Sequence, residues 1–397
     1  MYFSRVICYN RDVFCKAKNI SILFFIILIS FASCKKKKKT EVEPIKNIGA
    51  TYLSLKYAKG FEVNYYKGYK QIIVKHPWKN SKESINYFIS KDSSFIPKTL
   101  HTNDIVLIEP IDKVAVVSTT YLSFLEMINK VNNISAISYA KYVYSPKILK
   151  LHNEQKIKEI GFDENLNYEK LLESKSKLIF TYAIKQPKDE AKLNSLDIKR
   201  VMVSEYLEET PLAQAEWLFF FAAFFNEEEK AKVLFDSIDK QYLALQKDIA
   251  NLESKPTVMC NLPFKGNWYL PGGKSVAARF IEDAGGKYVF SENNEFGGVN
   301  IPYEKAYALA LNADYFLHVN NCKNKKELTS DFDAIKNTKA FKSNHIYNNN
   351  LRINNQSAND FWESGVAHPD LVLKDLIEIL HANSQNNYSS FYYRKIE

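Results

Sequence analysis

Trp268 and Tyr269 sit side by side, with Gly266 before them and Pro271-Gly272 after them. An aromatic pair placed this way either plugs a core or offers a flat surface for a ligand, and spacing leaves both open. Other side chains able to stack or hydrogen-bond follow short apolar runs: Thr119, Thr120 and Tyr121; Tyr139, Lys141, Tyr142 and Tyr144; Tyr182; Asn267; and Arg352. Loops after strands are where open α/β sheets bind ligands. Signatures of catalysis are missing. The seven His, at 76, 101, 152, 318, 345, 368 and 381, lie too far apart in sequence for a local metal motif. There is no C-x-x-C and no G-x-S-x-G. Gly272-Gly273-Lys274-Ser275 matches the tail of a phosphate-binding loop, but Trp268 stands where that motif needs its first Gly. These glycines read instead as a tight strand-to-helix turn with Ser275 as the N-cap.

The elements that must position these side chains alternate. Phe61 to Tyr66 and Gln71 to Lys75 flank Gly68, a hairpin signal within a β-rich stretch from 56 to 110. From Lys113 onward short buried-strand runs alternate with helical stretches: 113–118, 134–138, 178–182, 199–203, 257–262, 267–270, 287–290, 315–319 and 345–347. That alternation implies βαβ units and parallel sheets. Between its two halves, Pro211 to Leu252 contains no internal Pro or Gly. Thr210 then Pro211 is an N-cap followed by Pro at the first helical position, so one long helix is expected, with Asn226 a candidate break. Unbroken, it would span about 60 Å at 1.5 Å per residue. The expected architecture is α/β: two lobes, each a mainly parallel sheet flanked by helices, joined by one long rigid helix, with a β-hairpin extension at the N-terminus. The expected boundaries are 51–208 for the first lobe, 209–254 for the linking helix and 255–397 for the second.

The N-terminus carries its own signal. Ile20 to Ala32 is an apolar run of 13 residues after a basic stretch, short for a spanning helix and right for the core of a signal peptide. Phe31-Ala32-Ser33-Cys34 resembles a bacterial lipobox, with Phe31 in place of the usual Leu. Residues 1–33 would then be removed, Cys34 would carry lipid, and 34–50, with Lys35 to Lys39, would be a solvated tether. Of the five Cys, Cys8 and Cys15 fall in the removed part and only Cys260 and Cys322 remain in the body, both expected as buried thiols. The charge of +9 also belongs to this end: residues 1–33 hold a net +3 and the Lys run +5, which leaves +1 for the body. A near-neutral body excludes the basic face of a nucleic-acid protein.

One approximate repeat remains. Asn167-Tyr168-Glu169-Lys170 and Pro302-Tyr303-Glu304-Lys305 each open a helix before a strand. Each Glu sits where a helix dipole favours a carboxylate, and ordinary helix-start chemistry accounts for it.

Residues 113–128, 209–225 and above all 360–381 (DFWESGVAHPDLVLKDLIEILH) resemble the cobalamin-, haem- and ferric-siderophore-binding proteins of ABC importers. The resemblance covers about residues 50–381. It implies a protein that captures and does not catalyse, with no cofactor of its own. A metal chelate would lie between the lobes, an iron–siderophore complex first, cobalamin or haem second. Thr120, Tyr121, Tyr142, Tyr182, Trp268, Tyr269 and Arg352 are the expected ligand contacts. Glu169 and Glu304 match the positions at which that family docks onto Arg residues of its membrane permease. The expected partners are the permease with its ATPase and a membrane reached through lipid on Cys34, not nucleic acid. The expected form is a monomeric periplasmic lipoprotein of a Gram-negative-type bacterium. Outside this class, a glycan-binding lipoprotein and an α/β hydrolase stay open.

Overall fold

The computed structural model describes residues 51–162, 165–252, 254–381 and 389–397. The expected signal peptide, the Lys-rich tether and Cys34 lie outside these residues. The first five strands are β1 (Thr51–Tyr52), β2 (Phe61–Tyr66), β3 (Tyr69–Val74), β4 (Ile85–Ser90) and β5 (Asp104–Ile108). They form one sheet in that order, antiparallel except for the β4–β5 pair. The expected hairpin is β2–β3, closed by Lys67-Gly68. Gly68 adopts a φ of 86°, and a Cβ there would lie 2.3 Å from the Phe95 ring, so only Gly fits the turn.

The first parallel sheet holds β6 (Val114–Val116), β7 (Ile134–Ile137), β8 (Lys158–Glu159), β9 (Leu178–Thr181) and β10 (Lys199–Met202), in the order β10-β9-β6-β7-β8. Its crossovers carry α1 (Thr119–Met127), α2 (Pro146–Asn153), α3 (Tyr168–Glu173) and α4 (Glu190–Ser195). β6, β7 and β9 are buried along their whole length, as apolar runs without alternation require of a sheet covered on both faces.

The connection between halves differs from the expectation. Pro211 to Ile249 forms three helices, not one: α5 (Pro211–Ala215), α6 (Leu218–Phe225) and α7 (Glu228–Ile249). Asn226 stops α6 in the left-handed conformation, φ 57°, which Asn tolerates better than most residues. The start was legible: the Thr210 hydroxyl accepts from the Ala213 N–H at 3.2 Å, with Pro211 at the first position. α6 is apolar all round because it is enclosed, its Trp217 and Phe220 neighbours packing on Phe61 of β2 at 4.8 and 5.5 Å between ring centroids. α7, with 22 residues, is about 33 Å long, half the expected span.

Two buried carboxylates tie the segment 56–60 to this helical region. Glu216 accepts from the backbone N–H groups of Lys56, Tyr57 and Ala58 at 2.7, 2.7 and 2.6 Å. Glu208 accepts from the N–H groups of Lys59 and Gly60 and from Trp217 Nε1.

The second half contains β11 (Thr257–Cys260), β12 (Trp268–Pro271), β13 (Lys287–Tyr288), β14 (Gly298–Ile301), β15 (Tyr315–Leu317), β16 (Ile346–Asn348) and β17 (Arg394–Lys395). The sheet order is β13-β11-β15-β16-β17, parallel except for β17; β12 and β14 pair separately. The helices are α8 (Val276–Asp283), α9 (Tyr303–Leu311), α10 (Lys325–Asp331), α11 (Lys339–Lys342), α12 (Asp360–Ser364) and α13 (Pro369–His381). Ser275 caps α8 as expected, accepting from Ala278 N–H at 3.2 Å. A Cβ on Gly272 or Gly273 would fall 2.0 Å from the Glu295 carbonyl or 2.3 Å from that of Asn293. Carbonyl oxygens fill the space that a phosphate would need, so this is a packed turn.

Candidate functional site

Every strand of the first parallel sheet points the same way, so its crossover loops gather at one carboxyl edge. After β7 and β8 that edge carries Tyr139, Tyr142 and Phe162. Ring centroids are 5.2 Å apart for Tyr139–Phe162, 5.7 Å for Tyr142–Phe162 and 6.3 Å for Tyr139–Tyr142. Lys141 lies over two of these rings, 4.9 Å from Tyr142 and 5.4 Å from Tyr139. Among the described residues no carboxylate pairs with it. Tyr142 is 45% exposed and Phe162 37% exposed, well above the level of a core aromatic. After β9 and β10 the same edge carries Tyr182 and Tyr206, 6.5 Å apart, with Tyr206 Oη donating to the Ala183 carbonyl at 2.6 Å.

The second sheet's carboxyl edge is joined to the first by a polar seam. The Glu363 carboxylate accepts from the N–H groups of Tyr144 and Ser145 at 2.6 and 2.9 Å. Asn354 Nδ2 donates to the Val143 carbonyl at 2.9 Å, and Thr120 Oγ1 to that of Trp362 at 3.3 Å. Burial pushes Glu363 up to about 7, helped by Asp360 and Glu126 and opposed by the two N–H donors. Arg352 pairs with Asp360 at 2.6 Å and lies over the rings of Phe391 and Tyr144 at 4.3 and 5.2 Å.

The expected contacts separate into two groups. Thr120, Tyr142, Tyr182 and Arg352 lie at these edges and the seam, and Tyr269 is 51% exposed. Trp268 and Tyr121 do not belong with them. Trp268 is 0% exposed, donates from Nε1 to the Asn261 carbonyl at 3.1 Å and packs on Tyr303 and Phe332. Strand side chains alternate, so β12 sends Trp268 inward and Tyr269 outward. Tyr121 is 1% exposed on the inner face of α1, against Phe221, with its hydroxyl directed to the Val203 carbonyl at 3.4 Å. Phe162 and Trp362 were not anticipated. Gly161 before Phe162, and the position of Trp362 within 360–381, were the available signals.

The sequence profile of periplasmic binding proteins matches residues 114–349. The chain belongs to that family. The first antiparallel sheet lies wholly before the match. An uncharacterized lipoprotein of Methanocaldococcus jannaschii is 27% identical over 410 aligned residues, covering 95% of both chains. A second uncharacterized lipoprotein of that organism is 28% identical over 217 residues, 51% of this chain and 54% of its own. These relatives are archaeal, so the expectation of a Gram-negative-type source draws no support from them. Among solved structures, a possible iron-binding (periplasmic solute-binding) protein from Staphylococcus epidermidis is similar at TM-score 0.52 and 18% identity, over 68% of this chain and 98% of its own. A periplasmic heme-binding protein from Pseudomonas aeruginosa gives 0.54 and 10%, over 72% and 98%. A petrobactin-binding protein from Bacillus subtilis gives 0.52 and 18%, over 79% and 99%. At these identities the likeness is one of fold.

Within this family member the paired Glu are both exposed, each in the first turn of its helix, Glu169 in α3 and Glu304 in α9. Neither has an ion-pair partner among the described residues. Asn167 already caps α3 by accepting from the Lys170 N–H at 3.0 Å. Cys260 and Cys322 are buried free thiols, and burial pushes both up to about 12. Among the described residues no group of three or more His, Cys, Asp or Glu could hold a metal ion. No described helix is long and apolar enough to cross a membrane.

Glu205, after β10, is a buried carboxyl whose Oε2 has no hydrogen-bond partner. Burial pushes it from 4.5 up to about 8, and nearby donors, Tyr121 among them, oppose this more weakly. A carboxyl raised by folding contributes stability that is full below the unfolded value and is lost as pH rises through the folded one. Melting temperature should therefore fall between pH 5 and pH 8, and Glu205→Gln, neutral throughout, should fall less. Parallel melting curves for the two proteins across that range would show that Glu205 is already ionised in the fold.

Proposed function

We propose that this chain is the solute-binding component of an ABC importer, tethered to the membrane through lipid on Cys34, with an iron–siderophore-type chelate as its cargo. The cluster of Tyr139, Tyr142 and Phe162 under Lys141 carries this reading. The Tyr142 and Phe162 rings lie 35° apart with Tyr139 edge-on to both, a partly apolar wall, and an ammonium without a carboxylate partner suits an anionic group on the ligand. The family fold, and the ligands named for several of its structural neighbours, support the same class. The lipobox and the relatives called lipoproteins support the anchor. Haem or cobalamin is the second reading, since the exposed Tyr142 and Phe162 rings could pack against a macrocycle.

The deciding experiment is absorbance of the protein purified from its native source, where a chelate, haem or corrin band names the cargo. With that cargo in hand, Tyr142→Ala should weaken binding by about 1–3 kcal/mol, the usual cost of an aromatic anchor, without lowering the melting temperature. Unchanged affinity would remove the cluster from the site. Glu169 and Glu304 are the proposed permease contacts. Exposed ion pairs contribute about 0–1 kcal/mol each, so they would set register and encounter rate more than affinity. Replacing both with Ala should spare cargo binding and reduce uptake. Normal uptake with a lowered melting temperature would make them helix-start residues only.

A further inference from the structure

A cavity of about 340 Å3 opens where two sheet edges meet. β5 ends the antiparallel sheet, β10 ends the first parallel sheet, and residues of both line it together with α4 and the segment between β3 and β4. Trp78, Glu83 and Asp104 in its wall belong to the antiparallel sheet and its loops, which precede the family match. None of Tyr139, Tyr142 and Phe162 lines it, and nothing from the second half does. Two features mark it as more than a gap between sheets.

The first is an aromatic face. Trp78 is partly buried in the wall. Among the described residues it packs on no other ring, and its Nε1–H has no hydrogen-bond partner. Such an indole suits a ligand that is apolar on one face and polar at its rim.

The second is a set of polar groups that mixes donors and acceptors. The carboxamides of Gln186 and Asn194 line the cavity and have no hydrogen-bond partner among the described residues. Two carboxylates in the wall are fixed by partners of their own. Glu190 accepts from Arg200 Nε at 3.0 Å, and Arg200, 2% exposed, is held in turn by Asp189 and Thr181 at 2.6 and 3.2 Å. Asp104 accepts from Asn86 Nδ2 and from the His101 N–H, each at 2.7 Å. A carboxylate has about four lone-pair sites, so these bonds orient Asp104 without exhausting it.

These groups select the ligand by elimination. A phosphate or carboxylate brings only acceptors and would meet Glu83, Asp104 and Glu190, while Lys199 and Arg200 already have carboxylate partners. An ammonium brings only donors and leaves the indole N–H and the two amide NH2 groups unanswered. A wholly apolar molecule would strand them all. Hydroxyl groups donate and accept, so several on one ring answer indole, amide and carboxylate together. The volume lies within the range of about 300–1,000 Å3 usual for small-molecule sites. We propose that this cavity binds an uncharged saccharide, with one C–H face of a pyranose ring on Trp78 and its hydroxyls on Asp104, Gln186 and Asn194. The site does not rest on the cargo reading, and either can fail alone.

Saturation-transfer NMR on the full chain tests it, with glucose, mannose, galactose, N-acetylglucosamine, maltose and cellobiose as probes and spermidine as the cationic competitor. At least one sugar should receive saturation, strongest at the C–H groups of one ring face, and spermidine should not displace it. Trp78→Ala should weaken that sugar by about tenfold or more. Trp78→Phe, which keeps a ring, should recover part of the loss, and Tyr142→Ala should leave binding unchanged. Should Trp78→Ala fail to fold, Asn194→Ala, at an exposed helix position, should weaken the sugar by about threefold. No saturation of any of these sugars, displacement by spermidine, or sugar binding untouched by Trp78→Ala and Asn194→Ala would each overturn the proposal. So would loss in Tyr142→Ala alone, which would place the sugar at the aromatic cluster.

Discussion

Trp268→Ala will destabilise the protein by about 3–5 kcal/mol, the usual cost of deleting a buried Trp, and leave cargo affinity unchanged in the molecules that remain folded. The side chain is fully enclosed between Tyr303 and Phe332 and fixes the β12–β14 pair, where Trp268 faces Ile301. Truncation would leave a void against Tyr303 and Phe332. It also strands the Asn261 carbonyl that Nε1 now satisfies. Tyr269→Ala is the matched control. Its side chain points outward from the next position of the same strand, so the change should stay within about 0.5 kcal/mol. Chemical melts of the two variants, with cargo titration at low denaturant, separate the roles. A Trp268 variant of wild-type stability that no longer binds cargo would return this residue to the site.

The contrast between these neighbours shows what the sequence could and could not carry. The strands were legible because each is a short run of apolar residues bounded by Gly, Pro or polar clusters, and burial on both faces requires such a run. Caps were legible because they are local: Thr210 with Pro211, and Ser275, each satisfy an N–H three residues away. The split of the linking helix was only half legible, since Asn226 signals tolerance of a left-handed turn but does not demand one. In a segment as short as 267–270, strand alternation predicts that Trp268 and Tyr269 face opposite ways, but it does not say which one faces in. That depends on Tyr303 and Phe332, from distant elements. β17 left no pattern at all. Two residues on an edge bury too little to leave a period, and the three residues just before them are held by a carboxylate in α13.

The buried acids were the least legible feature. Glu208, Glu216, Glu363 and Asp375 all accept from backbone N–H groups, which have no residue type; the separations are 148, 160 and 219 residues for the three Glu and 16 for Asp375. A sequence reading sees a Glu or Asp in a helical stretch and assigns it to solvent. In this fold such residues stitch irregular segments onto helices, and they replace the apolar contacts those segments cannot make.

Asp375 should be the most sensitive of these stitches. It is fully buried in α13, where Oδ1 accepts from Phe391 N–H at 2.8 Å and Oδ2 from Tyr392 and Tyr393 N–H at 2.6 and 3.1 Å. Hydrogen bonds to a charged group are worth about 1.5–3 kcal/mol each. Because the freed tail can rehydrate, the sum overstates the loss, and Asp375→Ala should cost about 3 kcal/mol or more. Asp375→Asn should be nearly as damaging, although it keeps size and shape. An amide offers one acceptor oxygen, and its NH2 would face N–H donors wherever the other oxygen now sits. The damage should be local before it is global. Released residues 389–397 would uncover the edge of β16 and become cleavable by a protease at concentrations that leave the wild type intact. They would also carry away Tyr393, whose hydroxyl holds His318 at 2.7 Å. A tail that stays protected in Asp375→Asn, with an unchanged melting temperature, would mean that β17 pairing and the Tyr392 and Tyr393 rings hold it without the carboxylate.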